Sequence, residues 1–254
     1  MDARLVQFDP AVSTGVIFIA VTPDGDRTMF GARGANSFTD SELLDEPYFA
    51  SARWIHFSGY ALLDEPQRLA ALHALGLAAK VGCQISLDTG MVPALRAQQF
   101  IHRLLPCLDV VLPNETELFL LTDGVSSRQG PMRLLERGVR AVVAKYGASG
   151  SEVTIPNLQV NLPAFNISPF DTTGAGDCFN AGFISGRLAG LDWESAAVLG
   201  NACGALAAQR QGSAAVHITP ATVYDLIDEH ASAPEWYEWR TALKKVMDYL
   251  ENFT

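Results

Sequence analysis

Asp171 and Asp177 flank Thr172, Thr173, Gly174, Ala175 and Gly176 in the stretch DTTGAGDCF. The two glycines open backbone conformations that other residues avoid, and a helical pattern begins near Asp177. Amides at the start of a helix have no acceptor inside it, and the helix dipole adds positive potential there. Such a turn suits an anion, phosphate above all. A carboxylate beside a bound phosphoryl group has a task, which is to take the proton of an attacking hydroxyl. The same residues also read as a Gly-rich turn with an acidic helix start. On their own they leave both readings open. The turn is not a Walker P-loop, because the chain has no GxxxxGK[ST]; nor is it a dinucleotide fingerprint, because GxGxxG is absent.

NETE at 114–117 carries two readings as well. Asn114 followed by Glu117 is close to a capping box, in which Asn caps a helix and Glu reaches back. The pair also follows an apolar run, where a ligand crevice is expected. There Asn can bind phosphate and Glu can hold magnesium through water. KYGASG at 145–150 ends another apolar run and turns on Gly147 and Gly150. It is either a plain turn or a nucleotide-facing loop. His56, His73, His102, His217 and His230 show no metal-ligand spacing and read as structural or surface residues. No GxSxG elbow is present.

The elements that must position these residues alternate. The stretch 14–31 reads as a β-hairpin around a PDG turn. Residues 52–59 suggest a strand, 65–82 a helix, 84–90 a buried strand, 93–108 a helix and 109–113 a strand. NETELFLLT starts a helix, 133–138 is helical, and 140–147 is a strand. Asp88, the NETE run and YGASG all fall at strand ends. That order argues for an open, mainly parallel sheet with helices on both faces and ligands beyond the C-terminal strand ends. The second half reads as helices at 177–190 and 193–212, rich in small residues that suit tight packing. The segment 234–253 is an aromatic-rich amphipathic helix pattern, expected to pack on the surface.

Composition narrows the classes. The 254 residues are 48% hydrophobic and 18% charged, enough for a sizeable core and against a long disordered tail. A net charge of −10 argues against a nucleic-acid or anionic-membrane partner. Cys83, Cys107, Cys178 and Cys203 form no CxxC pair and match no zinc spacing, which points to a reduced, cytoplasmic protein. No apolar run reaches membrane-spanning length, and the N-terminal stretch MDARLVQFDP has no apolar signal core.

Together, DTTGAGD, the earlier NETE, the intervening VVAKYGASG and the later NACGALAAQRQGS resemble the signatures of the ribokinase-like (PfkB-type) carbohydrate kinases. TGVIFIAVTPDGDRTMFGARGAN resembles that family's lid hairpin, so the likeness covers about residues 12–225. The resemblance implies a three-layer α/β/α sandwich with a partial β lid. It implies a kinase domain over 1–230 and a C-terminal helical extension over 231–254. It also implies transfer of the γ-phosphoryl group of ATP to a sugar hydroxyl, with Mg2+ and K+ as ions. Asp177 would be the base, and the amides of Gly174, Ala175 and Gly176 the anion hole. Asn114 and Glu117 would organise phosphate and Mg2+, besides capping their helix. Lys145, Gly147, Gly150 and Asn201 would lie along the nucleotide. Asp171 and Thr173 would sit near a monovalent cation, and Asn36 would face the sugar. A homodimer through the lid hairpin is expected.

The chain also departs from that pattern. Family members open with a strand bearing a substrate-binding Asp and then GG…N, and neither is found here. MDARLVQFDPAVSTG reads like an internal stretch, as if N-terminal strands of roughly 70–85 residues were missing from a full-length member. Open sheet edges and loss of part of the sugar-binding wall would follow. After Asp88 the chain has Gly90 and Val92 where acidic-sugar kinases of the family carry Asn and Arg, which weighs against a carboxylate-bearing sugar. Two alternatives stand beside the sugar kinase: a nucleotide-binding remnant without catalysis, and a nucleoside or vitamin-precursor kinase of the same clan.

Overall fold

The computed structural model describes residues 3–21, 27–126, 128–212 and 217–253. It forms two compact units, Met1–Asp109 and Val110–Thr254. In the first, β1 (Val16–Val21) and β2 (Arg27–Ala32) make the expected antiparallel hairpin. The PDG turn lies outside the described residues. Phe18 stands opposite Phe30, their rings 6.3 Å apart, yet both remain 60% or more exposed, and Val16, Ile17 and Met29 are exposed too. A 3-10 turn, Gly34–Ser37, follows.

Beyond α1 (Glu46–Ala50), the strand β3 (Trp54–Ser58) pairs in parallel with β4 (Gln84–Asp88). The helix α2 (Gln67–Lys80) joins them, a βαβ unit. Its apolar face, Ala70, Ala71, Ala74, Leu75 and Ala78, is buried at helical spacing. In β4, Ile85, Ser86 and Leu87 are all buried, as expected of a strand covered on both faces. The Ser86 hydroxyl accepts from Trp54 Nε1 at 2.7 Å, so this polar group does not sit in the core unpartnered.

The single helix read over 93–108 is two helices, α3 (Met91–Arg96) and α4 (Gln98–Leu104), with a 3-10 turn after them. Ala97 leaves the helical region at φ −122°, ψ 17°, and its carbonyl accepts from both Phe100 and Ile101, restarting the helix.

In the second unit, the strand read over 109–113 shrinks to β5 (Val110–Val111). Pro113 has no amide to extend the ladder, and Asn114 turns into a helix cap. The helices α5 (Glu115–Leu121) and α6 (Gly130–Glu136) lead to β6 (Ala141–Lys145), parallel to β5. Then β7 (Ser151–Ile155) and β8 (Leu158–Leu162) add an antiparallel pair. The sequence reading passes over this pair. Ser151 to Thr154 are buried on both faces although three of the four are polar, whereas Leu158–Leu162 alternates apolar and polar with a period of two.

The two Ala- and Gly-rich segments form α7 (Ala175–Leu188) and α8 (Trp193–Ala208), packed closely together. A Cβ on Gly182 would come within 2.8 Å of Cys203 Sγ and of the Leu199 carbonyl, so only glycine fits that crossing. After α9 (Pro220–His230), the final amphipathic pattern is a 3-10 turn, Pro234–Trp239, followed by α10 (Arg240–Leu250). Ala242, Leu243, Val246 and Leu250 are buried against α8 and α9. Trp236 is 0% exposed and stacks on Phe165 at 4.4 Å. Among the described residues no helix is long and apolar enough to cross a membrane. Cys83, Cys178 and Cys203 are buried thiols, and Cys107 is exposed.

Because Trp236 is fully enclosed, Trp236→Ala leaves a large cavity. We expect a loss of about 3–5 kcal/mol, read as a lower urea midpoint. A midpoint unchanged from wild type would show that the last segment does not contribute to the fold.

Candidate active site

The residues expected at the anion and nucleotide sites lie in the second unit, after the C-terminal ends of β5 and β6, at the start of α7 and, for Asn201, within α8. The strand ends are tied first. The Lys145 amide donates to the Pro113 carbonyl at 2.9 Å, and Asn114 pairs with Lys145 in parallel register. That brings NETE and KYGASG side by side, as their positions after two strands suggested.

NETE is a complete capping box. Glu117 N donates to Asn114 Oδ1 at 2.9 Å, and Asn114 N donates to Glu117 Oε2 at 3.0 Å. Asn114 Nδ2 also donates to Glu117 Oε1 at 2.8 Å. The carboxylate is only 6% exposed and accepts on both oxygens, so burial is balanced by hydrogen bonds. A donor set of this kind fits magnesium through bridging water, not by direct coordination.

The DTTGAGD turn is built by Asp171 and Gly174. Asp171 Oδ1 accepts from Thr173 N, and Oδ2 accepts from Gly212 N, both at 2.9 Å. The Ala208 carbonyl at the end of α8 accepts from the amides of Phe170 and Asp171 at 2.7 and 3.1 Å. The turn is thereby fastened to the end of α8. Gly174 then adopts the left-handed conformation (φ 78°, ψ −2°) and starts α7. A residue with a Cβ pays strain there.

Asp177 is the third residue of α7 and is exposed. Among the described residues, the amides of Gly174 and Gly176 have no acceptor. The Ala175 amide reaches the Thr172 carbonyl at 3.2 Å, so two of the three expected anion-hole donors are the open ones. The arrangement can hold an anion at the helix start with a carboxylate beside it.

A cavity of about 390 Å³ opens next to this turn. Lys145, Gly147, Gly150, Ala175, Gly176 and Asn201 line it, so the residues expected along the nucleotide share one cavity. Asn201 is anchored by Nδ2 donating to the Pro163 carbonyl at 3.1 Å. Phe165 and Phe179 complete the apolar part and were not anticipated from sequence. Nor was Asn180, which is 2% exposed and accepts from Lys145 Nζ at 3.0 Å. Its signal was present, a polar residue inside the apolar run CFNAGF, one turn after Asp177. Phe165 gave none, since the loop around it has no period. Asn36 lies in the first unit, exposed in the turn Gly34–Ser37. Among the described residues no cluster of three or more His, Cys, Asp or Glu side chains offers a metal cage. Burial pushes the Cys203 thiol up to about 12, which makes it inert beside the helix crossing.

Comparison with known proteins bears on this geometry. The pfkB family carbohydrate kinase model matches residues 1–220. The chain is 31% identical, over 84% of its length and 68% of the relative's, to an ATP-dependent ribose-1-phosphate kinase of Halopiger xanaduensis. A provisionally named ribokinase II of E. coli superposes in its apo form with TM-score 0.81 at 27% identity, over 87% of this chain and 73% of that one. The same protein in complex with ATP and Mg2+ gives 0.79. A fructokinase of Vibrio cholerae, bound to fructose, ADP and calcium, gives TM-score 0.75 at 28% identity, over 86% of this chain and 75% of that one. The fold is the ribokinase-like α/β fold with a mainly parallel sheet and a small hairpin sheet, as expected.

Asn114→Ala removes the cap and strands Glu117 in a nearly closed site. We expect a loss of about 1–3 kcal/mol, measured by urea unfolding with an unchanged slope. An unaltered midpoint would mean that the capping box adds nothing to stability.

Proposed function

The chain belongs to the pfkB family of carbohydrate kinases, and we propose that it moves the γ-phosphoryl group of ATP to a sugar hydroxyl. The observation that carries this reading is the junction at Gly174: two open amides, then an exposed carboxylate three residues on, beside a cavity of about 390 Å³. The triphosphate lies with its γ-phosphoryl at the amides of Gly174 and Gly176, helped by Ala175. Asp177 takes the hydroxyl proton as the sugar oxygen bonds to phosphorus. The bond from phosphorus to the bridging oxygen breaks, and that electron pair leaves with ADP. Asn201, Gly147 and Gly150 shape the wall for the nucleoside end.

Glu117, its carboxylate oriented by Asn114, would hold magnesium through water, and the ion would supply charge neutralisation on the phosphates. The turn of Asp171 and Thr173 is where a monovalent cation would sit. Both oxygens of Asp171 already accept backbone amides, so its part is to hold the turn's shape. Asn36 is assigned to the sugar. We keep 1–230 as the kinase domain and 231–254 as an extension. We assign the protein to the cytoplasm, a compartment where ATP is abundant.

Asp177→Asn is expected to lower kcat about 10²–10⁴-fold while the KM for ATP moves only a few-fold. ADP release with ribose 1-phosphate, fructose, ribose and a nucleoside panel measures it. Near-normal turnover by the variant would remove Asp177 from the role of base. Wild-type protein that is stabilised by ATP and Mg2+ yet turns over no acceptor would support a nucleotide-binding remnant.

The hairpin's exposed Val16, Ile17, Phe18, Met29 and Phe30 favour self-association through that element. We expect a dimer by light scattering and a monomer for the Phe18→Ser, Phe30→Ser double variant. A wild-type monomer at tens of micromolar would sink this part.

A further inference from the structure

We propose that Lys145 is the cation that stabilises charge on the phosphoryl group in flight, and that Asn180 is the residue that positions it. This rests on the sugar-kinase reading and goes beyond a place along the nucleotide wall.

Lys145 ends β6, and its backbone is fixed by the bond to Pro113 and by pairing with Asn114. Its side chain lines the cavity. The ammonium lies at the second glycine of the anion turn: a methyl group built on Gly176 would sit 3.7 Å from Nζ. A positive charge is thus placed beside one of the two open amides. Backbone dipoles and a full charge then converge where the transferring group gains negative charge, the arrangement that lowers a phosphoryl-transfer barrier.

A lysine head on a flexible four-carbon stem is poorly preorganised by itself. Asn180 supplies the order. It donates nothing to the ammonium; its Oδ1 accepts from Nζ at 3.0 Å. Lysine is donor-only, so the carbonyl end of the Asn180 amide must face it. The other end, Nδ2, is then buried with no partner. A buried amide that leaves one polar atom unpaired is a poor choice for stability alone. Holding the lysine accounts for it. Asn180 stands three residues after Asp177 on α7, so the base and the lysine's anchor share one helix face. Register errors between them are therefore small, because one rigid element carries both.

The test uses the full chain and four variants: Lys145→Met, Lys145→Arg, Asn180→Ala and the Lys145→Met, Asn180→Ala double. Lys145→Met is expected to lower kcat about 10²–10³-fold, with the KM for ATP within about threefold of wild type. Lys145→Arg keeps the charge and should recover at least tenfold of that loss, which a packing role would not. Asn180→Ala should lower kcat about tenfold, and the double variant should match Lys145→Met alone, since the anchor acts only through the lysine. ADP affinity by calorimetry shows that each variant is folded and binds nucleotide.

An active wild type with an equally active Lys145→Met sinks this inference and leaves the kinase reading standing. So does a Lys145→Met loss confined to KM, which would mean ground-state binding only. Additive losses in the double variant would remove Asn180 as the positioning residue. A wild type inert on every acceptor sinks the kinase reading, and this inference with it.

Discussion

The start of α7 at Gly174 is the constraint on which the second unit depends. A left-handed residue there ends the loop and begins the helix within one peptide unit. Asp171 and the Ala208 carbonyl hold the incoming loop to the end of α8, so the start point cannot slide. From that fixed origin, helix geometry does the rest. The amides of Gly174 and Gly176 stay open, Asp177 falls in the first turn, and Asn180 falls one turn later on the same face. Further along, Gly182 lets α8 approach closely. A shift of one residue at Gly174 would displace all of these by about 100° around the helix axis.

The parts of the site that the sequence revealed are those whose chemistry demands unusual residue types. Two glycines between two aspartates, and Asn three before Glu, are rare enough to be read without coordinates. Asn114 and Glu117 turned out to do what their spacing alone suggests, since the capping box is complete. The strand ends met as expected because β5 and β6 are parallel and consecutive. Asn180 and Phe165 were out of reach for a different reason. A polar residue in an apolar helix, or a phenylalanine in a loop, acquires meaning only when the strand end or cavity it faces has been placed.

The fold was legible to a similar depth. The long apolar or small-residue runs of α2, α7 and α8 were read as helices with errors only at their ends. The errors fell at short elements and at breaks between elements. β7 is buried on both faces and carries polar Ser151, Glu152 and Thr154 there, while β8 alternates strictly as LQVNL and was simply passed over. Ala97 breaks a helix although alanine is the best helix former, which is tertiary geometry overriding propensity. β5 is short because Pro113 and Asn114 end it.

The stack of Trp236 on Phe165 reaches further than local packing. Phe165 is part of the cavity wall, while Trp236 lies well downstream of it in the chain. The wall is therefore finished from behind by residues synthesised about 70 positions later. On the ribosome, the phosphate turn and its helix emerge and can fold before the surface that should flank them is braced. A nascent chain passes through a stage in which it has the turn but not the finished pocket. Competence to hold a ligand therefore arrives only after chain well beyond the phosphate turn has been made and has packed behind the wall.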